Sequence, residues 1–202
     1  MALVQTNLAG NWDASDLSSL WQDDARTTQV SATGQNVAVI DDQTGNGYHL
    51  KVGISTYKPG PPTYDTTDTS LVFDGVTEQG RAANMGSNFI NVFNMSMFIV
   101  AMPSMGTTHY TASLSRYIIY NVYNQILVYS DRITFNTRNN TTYNPAMRGV
   151  TSVTEPKVYG KVSTTTGATV YVNDLVGSYT HGALNAADDN VSFSLGYLDK
   201  NN

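Results

Sequence analysis

The sequence predicts an all-β protein, a sandwich or jelly roll of two antiparallel sheets with one short helix near the N-terminus. Three observations lead there. Helical periodicity is almost absent from the 202 residues. β-Branched and aromatic runs bounded by Gly, Asn, Asp or Pro recur along the whole chain. No strand–helix–strand alternation of the kind that builds a parallel sheet is present.

The elements follow in order. "DASDLSSLWQDD" places Leu17, Leu20 and Trp21 at helix-like spacing, with Ser15 or Asp16 in position to cap, so a short helix or helical turn is expected there. Strands are expected at "NVAVI", "TSLVFDG", "NMSMFIVAMP", "RYIIYNVY", "QILVYS", "RITFNT", "KVYGKVS", "ATVYVND" and "VSFSLGY". In "ATVYVND" Val170 and Val172 face one way, Thr169 and Tyr171 the other. "SMFIVAM" is apolar without alternation, which predicts a central strand with Met97, Phe98, Ile99 and Val100 buried on both faces. "YKPGPPTYD" reads as a loop within one domain rather than a linker, because a strand follows it at once. "RNNTTYNPAMRGVTS" reads as a second long surface loop, and no internal repeat is found.

Composition narrows the function. A net charge of −5 argues against gripping a nucleic-acid backbone, which needs a basic face. No run of like charges forms a polybasic membrane patch, and "MFIVAM" is far shorter than the ~20 residues of a membrane-spanning helix. The N-terminus "MALVQTNLAG" lacks the basic and apolar regions of a signal peptide. Cysteine is absent, which removes disulfides, thiolate metal sites and a thiol nucleophile.

The segment with the most chemistry is "DDQTGNGYH". Asp41, Asp42, Asn46 and His49 carry oxygen and nitrogen ligands, and carboxylate and amide oxygens suit calcium. Their spacing matches no calcium loop, and Asn46-Gly47 is a turn signal by itself, so a structural turn is expected, with Gly47 at positive φ. Glycoside hydrolysis needs two carboxyl groups flanking the bond. The chain has only two glutamates, Glu78 and Glu155, far apart and each in a loop-like context. His49, His109 and His181, with tyrosines such as Tyr120, are the raw material for a lyase, but tyrosine alternating along strands more often packs a sheet. There is no G-x-S-x-G elbow, and the Gly-rich stretches lack the lysine and helix of a phosphate loop. Trp12 and Trp21 have rings that stack on sugars, yet their place beside the short helix favours burial.

Taken in order, "NWDASDLSSLWQDD", "IDDQTGNGYH", "PPTYD…SLVFDG", "MSMFIVAMP", "ATVYVNDLVGS" and "VSFSLGY" resemble the laminin-G-like jelly-roll domains of the concanavalin A-like lectin/glucanase superfamily. The likeness runs over nearly the whole chain and is closest to the versions found in bacteriophage structural proteins and bacterial surface proteins. It implies a two-sheet antiparallel jelly-roll sandwich (concanavalin A-like) that occupies residues 1–202 as one domain. The fold hosts lectins, hydrolases, lyases and structural modules, so it says little about function. Two departures stand out. Asn173-Asp174 replaces the usual Asn-Gly of a hairpin, and the chain stops at "LDKNN", where the family continues into a sheet-closing strand. The expectation is that either the chain is a fragment of a longer protein, or a partner or the N-terminal segment supplies the missing edge.

The resulting expectation is a non-catalytic bacteriophage virion protein, a capsid decoration (cement) protein or a tail or fibre component. Its partners would be virion proteins and copies of itself, with no nucleic acid and no membrane. No catalytic, cofactor-binding or metal-ligating residues are assigned, and no cofactor. A carbohydrate-binding adhesin for host-surface glycans is the alternative, and a polysaccharide lyase the third reading.

Overall fold

A computed structural model describes residues 8, 10–52, 60–73, 79–82, 95–102, 109–116, 122–128, 132–139, 141–143, 146–148, 157–164, 166–180 and 191–196. The chain divides into two compact units, Met1–Ala83 and Asn84–Asn202. Both consist of antiparallel β-strands with almost no helix.

The helical signal at the N-terminus resolves into a single 3-10 turn, Leu17–Ser19. Asp16 caps it by accepting a hydrogen bond from the Ser18 N–H at 3.0 Å. The chain then enters strand β1 (Leu20–Trp21), so the Leu17/Leu20/Trp21 spacing marks a turn leading into a strand. In the first unit β1, β2 (Val39–Ile40), β3 (Leu50–Val52) and β6 (Gln79–Ala82) pair in that order, and β4 (Thr63–Asp65) forms a hairpin with β5 (Ser70–Val72). The register sets Leu20 opposite Ile40 and Ile40 opposite Leu50. Those three side chains, with Val30, Val37, Val39, Val52 and Tyr64, form the buried core of this unit. Burying an aliphatic side chain of this size stabilises by roughly 1.5–3 kcal/mol, which is how strands of two or three residues hold together.

The second unit contains two groups of strands. In one, β16 (Val191–Gly196), β8 (His109–Arg116), β9 (Val122–Val128) and β10 (Arg132–Asn139) pair in sequence, and β11 (Thr141–Tyr143) and β12 (Ala146–Arg148) both pair with β10. In the other, the order is β15 (Leu175–Thr180), β14 (Gly167–Val172), β13 (Lys157–Ser163) and β7 (Met95–Ala101).

Three expectations need correction. β7 stands at the end of its sheet rather than at its centre, and it is buried on one face alone. Met97 is buried, but Phe98 is 57 % exposed and Val100 68 % exposed. An apolar run without alternation suits a doubly covered strand, but it equally suits an edge strand whose second face lies open. The segment "RNNTTYNPAMRGVTS", expected to be a loop, begins in β10 and contains β11 and β12. "RYIIYNVY" and "QILVYS", expected as separate strands, meet in the continuous β9.

The Asn173-Asp174 departure is accommodated simply. Val172 pairs with Leu175 across a two-residue connection, and Asn173 takes the left-handed conformation at φ 49°. Asn visits that region more readily than most residues, and Asp174, which stands where the usual Gly would, does not take a positive φ, so Gly is not needed there.

Candidate functional site

The "DDQTGNGYH" segment folds as a turn, with Gly45 at φ 83° and Gly47 at φ 77°. Nothing lies within 4 Å of the place where a Cβ on Gly47 would sit, so glycine is needed there for its backbone and not for space. Asp42, only 7 % exposed, organises the turn. Its Oδ1 accepts from the Asn11 N–H at 3.0 Å and the Thr44 N–H at 3.1 Å, and its Oδ2 from the Tyr48 N–H at 3.2 Å. The Thr44 hydroxyl lies 2.8 Å from both oxygens. Donors on every side turn this carboxylate into a structural clamp. A cation would need those same lone pairs. Asn46, the third ligand candidate, donates from Nδ2 to the Leu8 carbonyl at 3.1 Å. Among the described residues no group of three or more His, Cys, Asp or Glu stands together as a metal site would require.

Asp41 faces the other way and joins three side chains. Its Oδ2 accepts from the Trp21 indole N–H at 2.7 Å, and its Oδ1 from Arg26 at 2.9 Å. His49 Nδ1 also lies 2.9 Å from Oδ1, while Arg26 reaches His49 Nε2 at 3.0 Å. The Asp42 N–H also points at Nδ1, at 3.3 Å, so no single neutral tautomer serves every contact: Nδ1–H suits Asp41 and leaves Nε2 to accept from Arg26, whereas an unprotonated Nδ1 suits the Asp42 N–H. Both ring nitrogens are thus engaged within the turn. Trp12 donates its indole N–H to the Tyr48 carbonyl at 2.8 Å. Both tryptophans are half-buried and hydrogen-bonded into the turn rather than presented as a stacking platform.

His109 opens β8 in the second unit, where the backbone alone is described. Glu78, Tyr120, Glu155, His181 and the terminal "LDKNN" lie outside the described residues.

Two features of the sheet β15-β14-β13-β7 were not legible in the sequence. The first is a polar row on the inner face of β13, where Tyr159, Lys161 and Ser163 are all buried. Lys161 is 1 % exposed and stands opposite Met97 on one side and Val170 on the other. Desolvation holds its pKa well below the usual lysine range, and desolvation also raises that of Tyr159. The buried Tyr159 hydroxyl finds no hydrogen-bond partner among the described residues. The alternation in "KVYGKVS" is visible, but it favours the valines as the inner set, and the structure places Val158 outside instead.

The second feature is the opposite, outer face. Phe98 lies across from Gly160, and a Cβ there would sit 2.5 Å from the Phe98 ring, so the ring covers the glycine backbone directly. Tyr171 flanks the same glycine, with its ring centroid 6.1 Å from that of Phe98 at a 40° tilt. Val100, Val158 and Val176 extend the exposed apolar surface. The pairing places Ser96, Phe98 and Val100 of β7 beside Val162, Gly160 and Val158 of β13. Thr169 and Tyr171 of β14, then Ser178 and Val176 of β15, continue the rows, so among the described residues no charged side chain belongs to this face.

No protein-family model matches the sequence, and no curated protein matches it.

Proposed function

We propose that this chain is a non-catalytic structural protein of a bacteriophage virion, a laminin-G-like jelly-roll sandwich that decorates a capsid or forms part of a tail or fibre. The phage setting rests on the ordered sequence resemblance. The protein–protein role rests on one observation: the uncharged outer face built around Phe98, Gly160, Tyr171 and Val176, which leaves large apolar side chains in solvent. Exposed apolar patches of this kind commonly mark interaction sites. Buried interfaces are depleted in charge and enriched in aromatic residues, as this face is. Thr and Ser at its rim supply neutral hydrogen-bonding groups that need no counter-charge.

The antiparallel strands agree with a sandwich, in which each sheet turns one face inward. The buried row of Met97, Tyr159, Val170 and Val172 fits that inner layer. A second reading, a glycan-binding adhesin, draws on the partly exposed Phe98–Tyr171 pair, since aromatic rings also stack on sugars.

Mass spectrometry of particles purified through a density gradient tests the proposal. The structural reading predicts the chain in fixed, near-stoichiometric copy number relative to the major capsid or tail protein. Its absence from the particles, together with saturable binding to a host-surface polysaccharide that Tyr171→Ala abolishes, would establish the adhesin instead.

A further inference from the structure

We infer that the free edge of β7 is a docking site for a second copy of this chain, which adds its own β7 antiparallel and joins the two four-stranded sheets into one. This inference specifies the contact for the assembly reading above and rests on it.

The Asn173 N–H donates to the Val158 carbonyl at 2.9 Å, and the Val158 N–H donates to Asn173 Oδ1 at 2.8 Å. Both backbone groups of Val158 therefore point toward β14, away from β7. In an antiparallel ladder, opposed residues alternate between hydrogen-bonded and non-hydrogen-bonded pairs. Val158 opposite Val100 is thus a non-hydrogen-bonded pair, and the N–H and C=O of Val100 point outward. Counting by twos, Phe98 opposite Gly160 and Ser96 opposite Val162 have the same orientation. Three N–H and three C=O groups in a row face away from the sheet, and among the described residues they have no partner.

The edge also lacks the usual protection. Natural sheets guard their edges with charges, prolines, bulges or very short strands. β7, "MSMFIVA", has no charge, no proline and no glycine over seven residues, and its pairing with β13 runs without a register shift. The large apolar side chains exposed beside it are Phe98, Val100 and, just past the strand, Met102.

Charge and symmetry favour a second copy as the occupant. Two chains of net charge −5 repel over most of their surface, but an uncharged strand meeting itself brings no like charges together. Antiparallel pairing of identical strands is two-fold symmetric, so one self-complementary edge suffices for a closed dimer. β15, at the other end of the sheet, is a poorer candidate because Gly177 interrupts it, and glycine weakens a strand.

Light scattering on the sizing-column peak of the full chain, from about 1 to 200 µM, tests the inference. The expected result is a concentration-dependent shift from 22.0 kDa to twice that mass. Val100→Pro removes one outward donor while leaving the ladder to β13 intact, and edge strands tolerate proline. Should that variant fail to fold, Val100→Lys places like charges across the same junction. Either folded variant should remain at 22.0 kDa throughout the range, whereas Val176→Lys on β15 should dimerise like the parent chain. A parent chain that stays monomeric, or Val100 variants that dimerise unchanged, would overturn the inference. If the parent chain associates and co-purifies with particles while the Val100 variants associate equally well, the β7 contact is wrong and the virion reading stands. If the parent chain dimerises through β7 but is missing from purified particles, the contact is right and the virion reading falls.

Discussion

At the scale of single residues, two neighbouring aspartates show how position decides what a carboxylate does. Asp42 is buried and saturated with donors, whereas Asp41 is more exposed and shares its charge with Arg26 and His49. Asp42→Asn sets an amide NH2 against N–H donors and should cost about 2–3 kcal/mol in urea denaturation, the scale of losing hydrogen bonds to a charged acceptor. Asp41→Asn should cost under ~1 kcal/mol, as partly exposed ion pairs do. Equal costs for the two would refute the assignment of Asp42 as the clamp. A second test lies on β13. Tyr159→Phe removes a buried hydroxyl without a described partner and should leave stability equal or raise it by ~1 kcal/mol. Lys161 carries a pH signature. Its folded pKa lies below the unfolded one, so the unfolded chain binds the extra proton in the interval between them. The contribution of this group is full above the unfolded pKa and is lost as pH falls through that interval. Stability should therefore rise with pH through that interval, up to the ordinary lysine range, and Lys161→Met should flatten that slope. Denaturation curves at several pH values, parent against variant, provide the check.

At the scale of elements, what was legible followed from local chemistry. The turn at "DDQTGNGYH" was readable because Asn-Gly and Gly at positive φ are backbone signals that need no tertiary context. β13 and β14 were readable from β-branched alternation. β7 as a strand was readable too, but its place was not: the same apolar run serves a central strand or an unguarded edge, and only pairing distinguishes them. The strands within "RNNTTYNPAMRGVTS" were masked by their Asn, Thr and Pro content, which mimics a loop. The buried Lys161 was hidden for a similar reason, because register chooses the inner face and a single strand does not reveal it. These placements change one expectation in magnitude. A core Phe→Ala costs ~3–5 kcal/mol, but Phe98 is over half exposed and covers Gly160 from outside. Phe98→Ala should cost nearer ~1 kcal/mol, measured by chemical denaturation at low protein concentration where the chain is monomeric. A loss of several kcal/mol would return β7 to the core.

Across the whole molecule, the described residues set an uncharged, apolar sheet face and edge in a protein of net charge −5. Such a surface is a liability for a chain that works alone and an asset for one that packs against others. The most direct test is quantitative co-sedimentation of the purified chain with phage particles stripped of it. We predict saturable, stoichiometric binding that persists at high salt, since a charge-free contact is not screened. Binding absent at any concentration, or lost on modest addition of salt, would contradict the account.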